Sequence, residues 1–169
     1  TVVVHKRTYF TQEEIYGIKD SLFSCGIEKV DLIEISYEDN IRYIASKIVN
    51  NTPKEPDSFP LSRGTTIVTS NNTALIWTHG VVPAVTNPNY RYYLGGRYIP
   101  SPLKITKHYG EGSIGQIASE ILGLSKMNWN SFDLYAQLPA TISTSNEIAR
   151  IGKRLARNRG ITFDYRCFM

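Results

Sequence analysis

The sequence predicts an α/β fold in which a mixed sheet is flanked by helices. Three observations predict it: a strand, helix, strand succession at the start, a pair of β-rich runs around a polar turn in the middle, and two amphipathic helical patterns near the end.

The chain opens on the β-branched run Val2, Val3 and Val4. Thr11 to Gly26 reads as a helix: Thr11 and Glu14 form a T-x-x-E capping box, Ile15, Ile18 and Leu22 recur at helical spacing, and Gly26 is a natural stop. Lys29 to Ser36 mixes alternation with β-branching at Val30, Leu32, Ile33 and Ile35, the pattern of a strand buried largely on both faces. Strand, helix and strand together predict a parallel crossover. Asn50 to Pro60 carries Pro53, Pro56 and Pro60 among polar residues; this excludes a helix or an interior strand, and an exposed loop is expected.

Thr65 to Thr69 and Ala74 to Thr78, separated by Ser70, Asn71, Asn72 and Thr73, predict a hairpin. Asn87 to Pro102 is rich in Pro, Gly and Tyr, as an ordered surface loop is, and leads to a short strand over Leu103 to Lys107. Two helices close the chain. The first starts with Ser113 and Gln116 as a capping box and buries Ile114, Ile117, Ile121 and either Leu122 or Leu124. The second is expected to start with Thr144 and Glu147 as another box and to bury Ile148, Ile151 and Leu155.

With 169 residues, 41% of them hydrophobic and 20% charged, the chain suits one well-cored globular unit rather than a disordered or collagenous segment. The first residues form neither a signal peptide nor a membrane span, so a cytoplasmic location is expected. A start inside a strand-like run, without Met, points to a piece of a longer protein. Cys25 and Cys167 match no CxxC spacing and read as ordinary thiols. A formal charge of +4 suits a polyanionic partner without specifying one.

Charge becomes more specific in the last helix, where Arg150, Lys153, Arg154, Arg157 and Arg159 follow one another with no acid among them. Helical spacing sets Arg150, Lys153, Arg154 and Arg157 along one side and Ile148, Ile151 and Leu155 along another, as the wall of a phosphate-binding groove requires. A solvated face whose cations favour the negative helix end is the competing reading. Tyr90, Arg91, Tyr92, Tyr93 and Arg97 interleave aromatics with cations and could stack on bases, or simply pack their loop. His5, His79 and His108 have no zinc-ligand spacing. The acids Asp31, Glu34, Asp39, Asp133 and Glu147 form no DxD or DxE pair for a two-metal site, and no phosphate loop or nucleophile motif is present.

LGLSKMNWNSFDLYAQLP, from Leu122 to Pro139, followed by the helix through Leu155, resembles the end of Argonaute PIWI domains. The opening VVVHKRTYFTQEEI resembles the family's central strand and the helix after it, and Leu61 to Thr65 with ALIWTHG resembles its Arg-Gly-Thr strand and hairpin. The resemblance implies an RNase H-like fold. Residues 1–169 would be the C-terminal part of the PIWI domain of a prokaryotic Argonaute, with the MID domain and the first half of PIWI upstream.

In slicing members, acids and sometimes a histidine hold two divalent metals. The resemblance places Arg7 and Asn146 at two of those ligand positions, and a cation and a neutral amide are unsuited to the task. Together with His5 and Lys6, this is similar to the long, cleavage-inactive type, so no enzyme activity is expected. By the same resemblance Lys126, Asn128, Arg150, Lys153 and Arg154 would contact nucleic acid. The carboxylate of Met169, beside Phe168, would help hold Mg²⁺ or Mn²⁺ at the guide 5′ phosphate. The implied partners are a guide RNA or DNA and its complementary target, recognised as foreign nucleic acid in host defence. An active slicer with other ligands, drawn from Glu147 or Asp133, and a docking domain for an effector subunit are the alternatives.

Overall fold

The computed structural model describes residues 1–56, 61–80, 82, 100–127 and 136–155. Strand β1 (Val2–Lys6), helix α1 (Gln12–Ser24) and strand β2 (Val30–Tyr37) form the expected crossover, with β1 parallel to β2 and Val2 opposite Val30. Both bonds of the capping box are made: the Glu14 amide donates to Thr11 Oγ1 at 3.3 Å, and the Thr11 amide donates to Glu14 Oε2 at 2.9 Å. The other end closes through Gly26, whose φ of +76° is in the left-handed region. Its amide reaches the Phe23 carbonyl and the Ile27 amide reaches that of Leu22, both at 2.9 Å, while Ile27 and Leu22 pack in one apolar cluster.

Strands β5 (Thr66–Ser70) and β6 (Thr73–Ile76) are the predicted hairpin, and β7 (Leu103–Tyr109) is the predicted late strand, two residues longer than expected. The five strands make one mixed sheet in the order β1-β2-β7-β6-β5, in which β7 inserts antiparallel between β2 and β6. Residue alternation then assigns the faces. Ile33 and Ile35 of β2, Ala74 and Ile76 of β6, and Leu103 and Ile105 of β7 bury one face under Ile114, Ile117 and Ile121 of helix α2 (Ile114–Leu124). On the other face Val30 and Leu32 meet Phe10 and Ile15, the latter from α1, and Leu75 and Trp77 meet Leu61. The interior strand β2 is thus buried on both faces.

The turn from β7 to α2 depends on glycine. Asp31, 7% exposed, accepts the Gly112 amide at 3.0 Å, and the backbone at Gly110, with φ +117°, passes so close that a Cβ there would overlap the Asp31 carboxylate.

Two sequence expectations are corrected here. The segment from Asn50 is not all loop: β4 (Thr52–Pro56) pairs antiparallel with β3 (Ser46–Val49), joined by Asn50 and Asn51, both at positive φ (53° and 58°). Pro53 and Pro56 are tolerated because each strand of a two-stranded sheet has a free edge, so a missing N–H need not break a ladder. The Asn-Asn pair is the turn chemistry that Pro content obscured. The α2 capping box is only half made: Ser113 Oγ accepts the Gln116 amide at 3.2 Å, but the Gln116 side chain turns along the helix to Glu120 instead.

Candidate nucleic-acid interface

The last helix, α3 (Ala140–Leu155), begins four residues before the predicted Thr144. Pro139 starts it through its backbone, its carbonyl accepting the amides of Ile142 and Ser143 at 3.0 Å each, so Thr144 lies inside the helix and caps nothing. Glu147 is therefore free of the role expected for it. Its Oε2 instead accepts from Arg150 Nη2 at 2.6 Å and Nε at 3.0 Å. Both side chains of this pair are more than half exposed (59% and 53%), so the ion pair is weak and Arg150 can exchange it for a phosphate.

The earlier start also adds an anchor that the sequence reading missed: Ile142, 4% exposed, joins the core under α2. Beyond it Ile148 and Ile151 are half-buried, whereas Arg150 and Lys153 are exposed, so the apolar and basic stripes stand as predicted as far as Lys153. Asn146 is exposed on the same helix. The side chains of Arg154 and Leu155, and the residues Arg157, Arg159, Phe168 and Met169, lie outside the described residues, as do Asn128, Asp133, Cys167 and the tyrosine loop from Tyr90 to Tyr98.

β1 brings its alternate residues to this helix. Val3 packs with the core that holds Ile142, and two residues on His5 Nδ1 shares a 2.8 Å hydrogen bond with Thr141 Oγ1 in the first turn of α3. Burial holds the His5 pKa below its ordinary value, with the Glu120 carboxylate pulling weakly the other way. Arg7 comes next on this side of the strand, its guanidinium carbon 4.6 Å from the centre of the Tyr37 ring. It has no acidic partner among the described residues, and its Nε is buried without a hydrogen bond. Lys6, between them, points to the opposite face and donates to both carboxylate oxygens of Glu14.

Lys126 is exposed on the turn that follows α2. That turn is held by a residue the sequence reading did not single out: Arg63 donates to the Leu122 carbonyl at 3.1 Å and to the buried Ser125 hydroxyl. Gly64, with φ +89°, lets this segment lie against Leu122. The contact joins residues about 60 positions apart, so no local pattern announced it.

Of the acids considered as ligands, Asp31, Glu34 and Glu147 have other partners. Asp31 holds Gly112, Glu34 Oε2 meets His108 Nε2 at 2.7 Å, and among the described residues no three His, Cys, Asp or Glu side chains converge. His108 is a packed residue, edge-on to Tyr9 and beside Phe10. Arg7 and Asn146, which the resemblance places at two ligand positions, are a cation and an amide, and neither suits a divalent metal.

No family model and no curated protein sequence matches the chain. Solved structures do. Clostridium butyricum Argonaute bound to a guide DNA and a 19-mer target DNA superposes with a TM-score of 0.59 at 26% identity over 88% of this chain. Aquifex aeolicus Argonaute superposes with a TM-score of 0.60 at 25% identity over 95% of the chain, and Aa-Ago with externally bound siRNA with 0.56 at 25% over the same share. The fold is that of the PIWI-like part of a prokaryotic Argonaute. The chain spans 17% to 19% of the length of these Argonautes. Among the described residues no helix is long and apolar enough to cross a membrane.

Proposed function

We propose that this chain is the part of a prokaryotic Argonaute that grips a guide strand and its duplex with a target through their phosphates, and that it does not cut. The observation that carries the reading is the set of cations on the α3 side: Arg150 and Lys153 exposed on the helix, and Arg7, just beyond the neighbouring strand β1, without an acid among the described residues. Backbone gripping needs such cations and leaves sequence recognition to base pairing. Arg154 follows Lys153 in the sequence, Lys126 lies on the turn after α2 that Arg63 steadies, and Asn128 comes two residues later in the sequence.

The absence of cutting is argued from chemistry. In-line attack on a phosphodiester through two metals requires oxygen donors that neutralise and orient the ions. A guanidinium at Arg7 repels a metal, and the Asn146 amide supplies no charge. In the whole protein, the MID domain and the rest of PIWI would complete the site, Met169 would lend its carboxylate to a Mg²⁺ or Mn²⁺ at the guide 5′ phosphate, and guided recognition would serve defence against foreign nucleic acid in the cytoplasm.

A second reading, docking of an effector protein, draws support from the far side of the molecule. There Tyr16 and Phe23 of α1 are 67% and 69% exposed and line a groove with Ile27 and Tyr109.

Incubating the full-length protein with guide, complementary target and Mn²⁺ tests the proposal. Target retained uncut is the expected outcome; a product cut at one position set by the guide would overturn it.

A further inference from the structure

The cations of the described residues have different fates. Lys6 is neutralised by Glu14, Arg150 is shared with Glu147, Lys107 donates to the Gly112 carbonyl at 2.8 Å, and Arg42 donates to the carbonyls of Asp39 and Ile41. Arg7 is half-buried with no acidic partner among the described residues, and its guanidinium carbon lies 4.6 Å from the ring centre of Tyr37, a residue that is 40% exposed. A half-buried guanidinium without a counter-ion is costly, so its retention just beyond the end of β1 points to an anion that arrives from outside.

We propose that Arg7 is a phosphate clamp that replaces the metal pair: its guanidinium binds a backbone phosphodiester of the bound strand at a position where slicing relatives carry a metal-holding acid. The inference rests on the nucleic-acid reading above and deepens it. Contact with Tyr37 restrains the guanidinium, and a guanidinium can meet two phosphate oxygens at once, a geometry that a lysine does not offer. His5 reinforces the arrangement, because its hydrogen bond to Thr141 holds the positive N-terminal turn of α3 on the same side of the strand. A carboxylate at this position needs a divalent ion to hold a phosphate; a guanidinium holds it alone. Binding through Arg7 is therefore independent of divalent metal.

The test uses the full-length protein, with fluorescence anisotropy in EDTA across a salt series. One arm follows a labelled guide, and the other follows a labelled target on guide-loaded protein. Arg7→Gln is expected to weaken one arm roughly tenfold and to lower its salt slope by roughly 0.7 to 0.9, the value of one lost phosphate contact. Loss in the guide arm assigns the phosphate to the guide, loss confined to the target arm assigns it to the target, and either supports the clamp. Tyr37→Leu, which keeps the charge but removes its seat, is expected to weaken the same arm severalfold with the slope unchanged. A folded Arg7→Gln protein, checked by thermal melting, with wild-type affinity and slope in both arms overturns the clamp. If Arg7→Gln does not fold, wild-type affinity of Tyr37→Leu in both arms does so. Wild-type protein that binds neither strand even after Mg²⁺ is restored overturns the underlying reading as well, so the two failures are distinct.

Discussion

On the α1 side of the sheet charges meet one another, and on the α3 side they face outward. Lys6 pairs with Glu14, and His108 with Glu34. Across the sheet, Arg7 has an aromatic seat and no acid among the described residues, Lys153 is exposed, and Arg150 holds a weak surface pair. Satisfied polar groups fix a fold, whereas unsatisfied cations of one sign are useful only when an anion comes. Substitutions on the first side should therefore change stability and spare binding, and those on the second should do the reverse.

The largest effect on stability is expected from Gly110→Ala in the turn from β7 to α2, which forces a methyl group into the Asp31 carboxylate and the Val30 carbonyl at a φ of +117°. A loss of about 2–3 kcal/mol is expected from such strain and overlap. Denaturant unfolding of the full-length protein measures it. Thr11→Ala removes the first bond of the capping box of α1 and should cost about 1 kcal/mol in the same experiment. An unchanged midpoint in Thr11→Ala would break the assignment of the α1 side to structure, and one in Gly110→Ala would break the role given to the turn around Asp31.

A smaller effect is pH dependence. The His5 pKa is depressed in the folded chain, so the unfolded chain takes up the proton first, and stability begins to fall as the pH drops through the ordinary value of 6.5. Further down, Glu14 is held below its usual value of 4.5 by the Lys6 side chain and the Thr11 amide, and what it contributes is lost as the pH falls through that lowered pKa. Melting temperatures from pH 7.5 to 5 should fall in wild type and flatten near pH 6 in His5→Asn. The smallest effect should come from Tyr16→Ala with Phe23→Ala, on the side away from α3. Less than a twofold change in nucleic-acid affinity is expected, and a larger one would show that binding is not confined to the α3 side.

Legibility in the sequence followed how local each cause is. The α1 boundaries were readable because Thr11, Glu14 and Gly26 act within one turn of the residues they cap. The parallel crossover was readable because β2 is apolar on both faces. The start of α3 was misread: Thr144 and Glu147 imitate a capping box, while the true start uses the Pro139 carbonyl, for which no side chain is diagnostic. The β3–β4 hairpin was hidden because prolines argue against interior strands and these strands have free edges. The insertion of β7 between β2 and β6, the Arg63 contact with Ser125 and the Arg7 stack on Tyr37 join distant positions. Of the candidate interface, the residue types on α3 were readable and the pairing of Arg150 with Glu147 was not.

The most direct test of the α3 side as a phosphate-gripping surface is the salt dependence of guide binding by the full-length protein, comparing wild type with Arg150→Ala/Lys153→Ala/Arg154→Ala. With roughly 0.7 lost from the slope per missing single-strand contact, a plot of log affinity against log salt should flatten by about 2. Two lines of equal slope would mean that these cations face no phosphate.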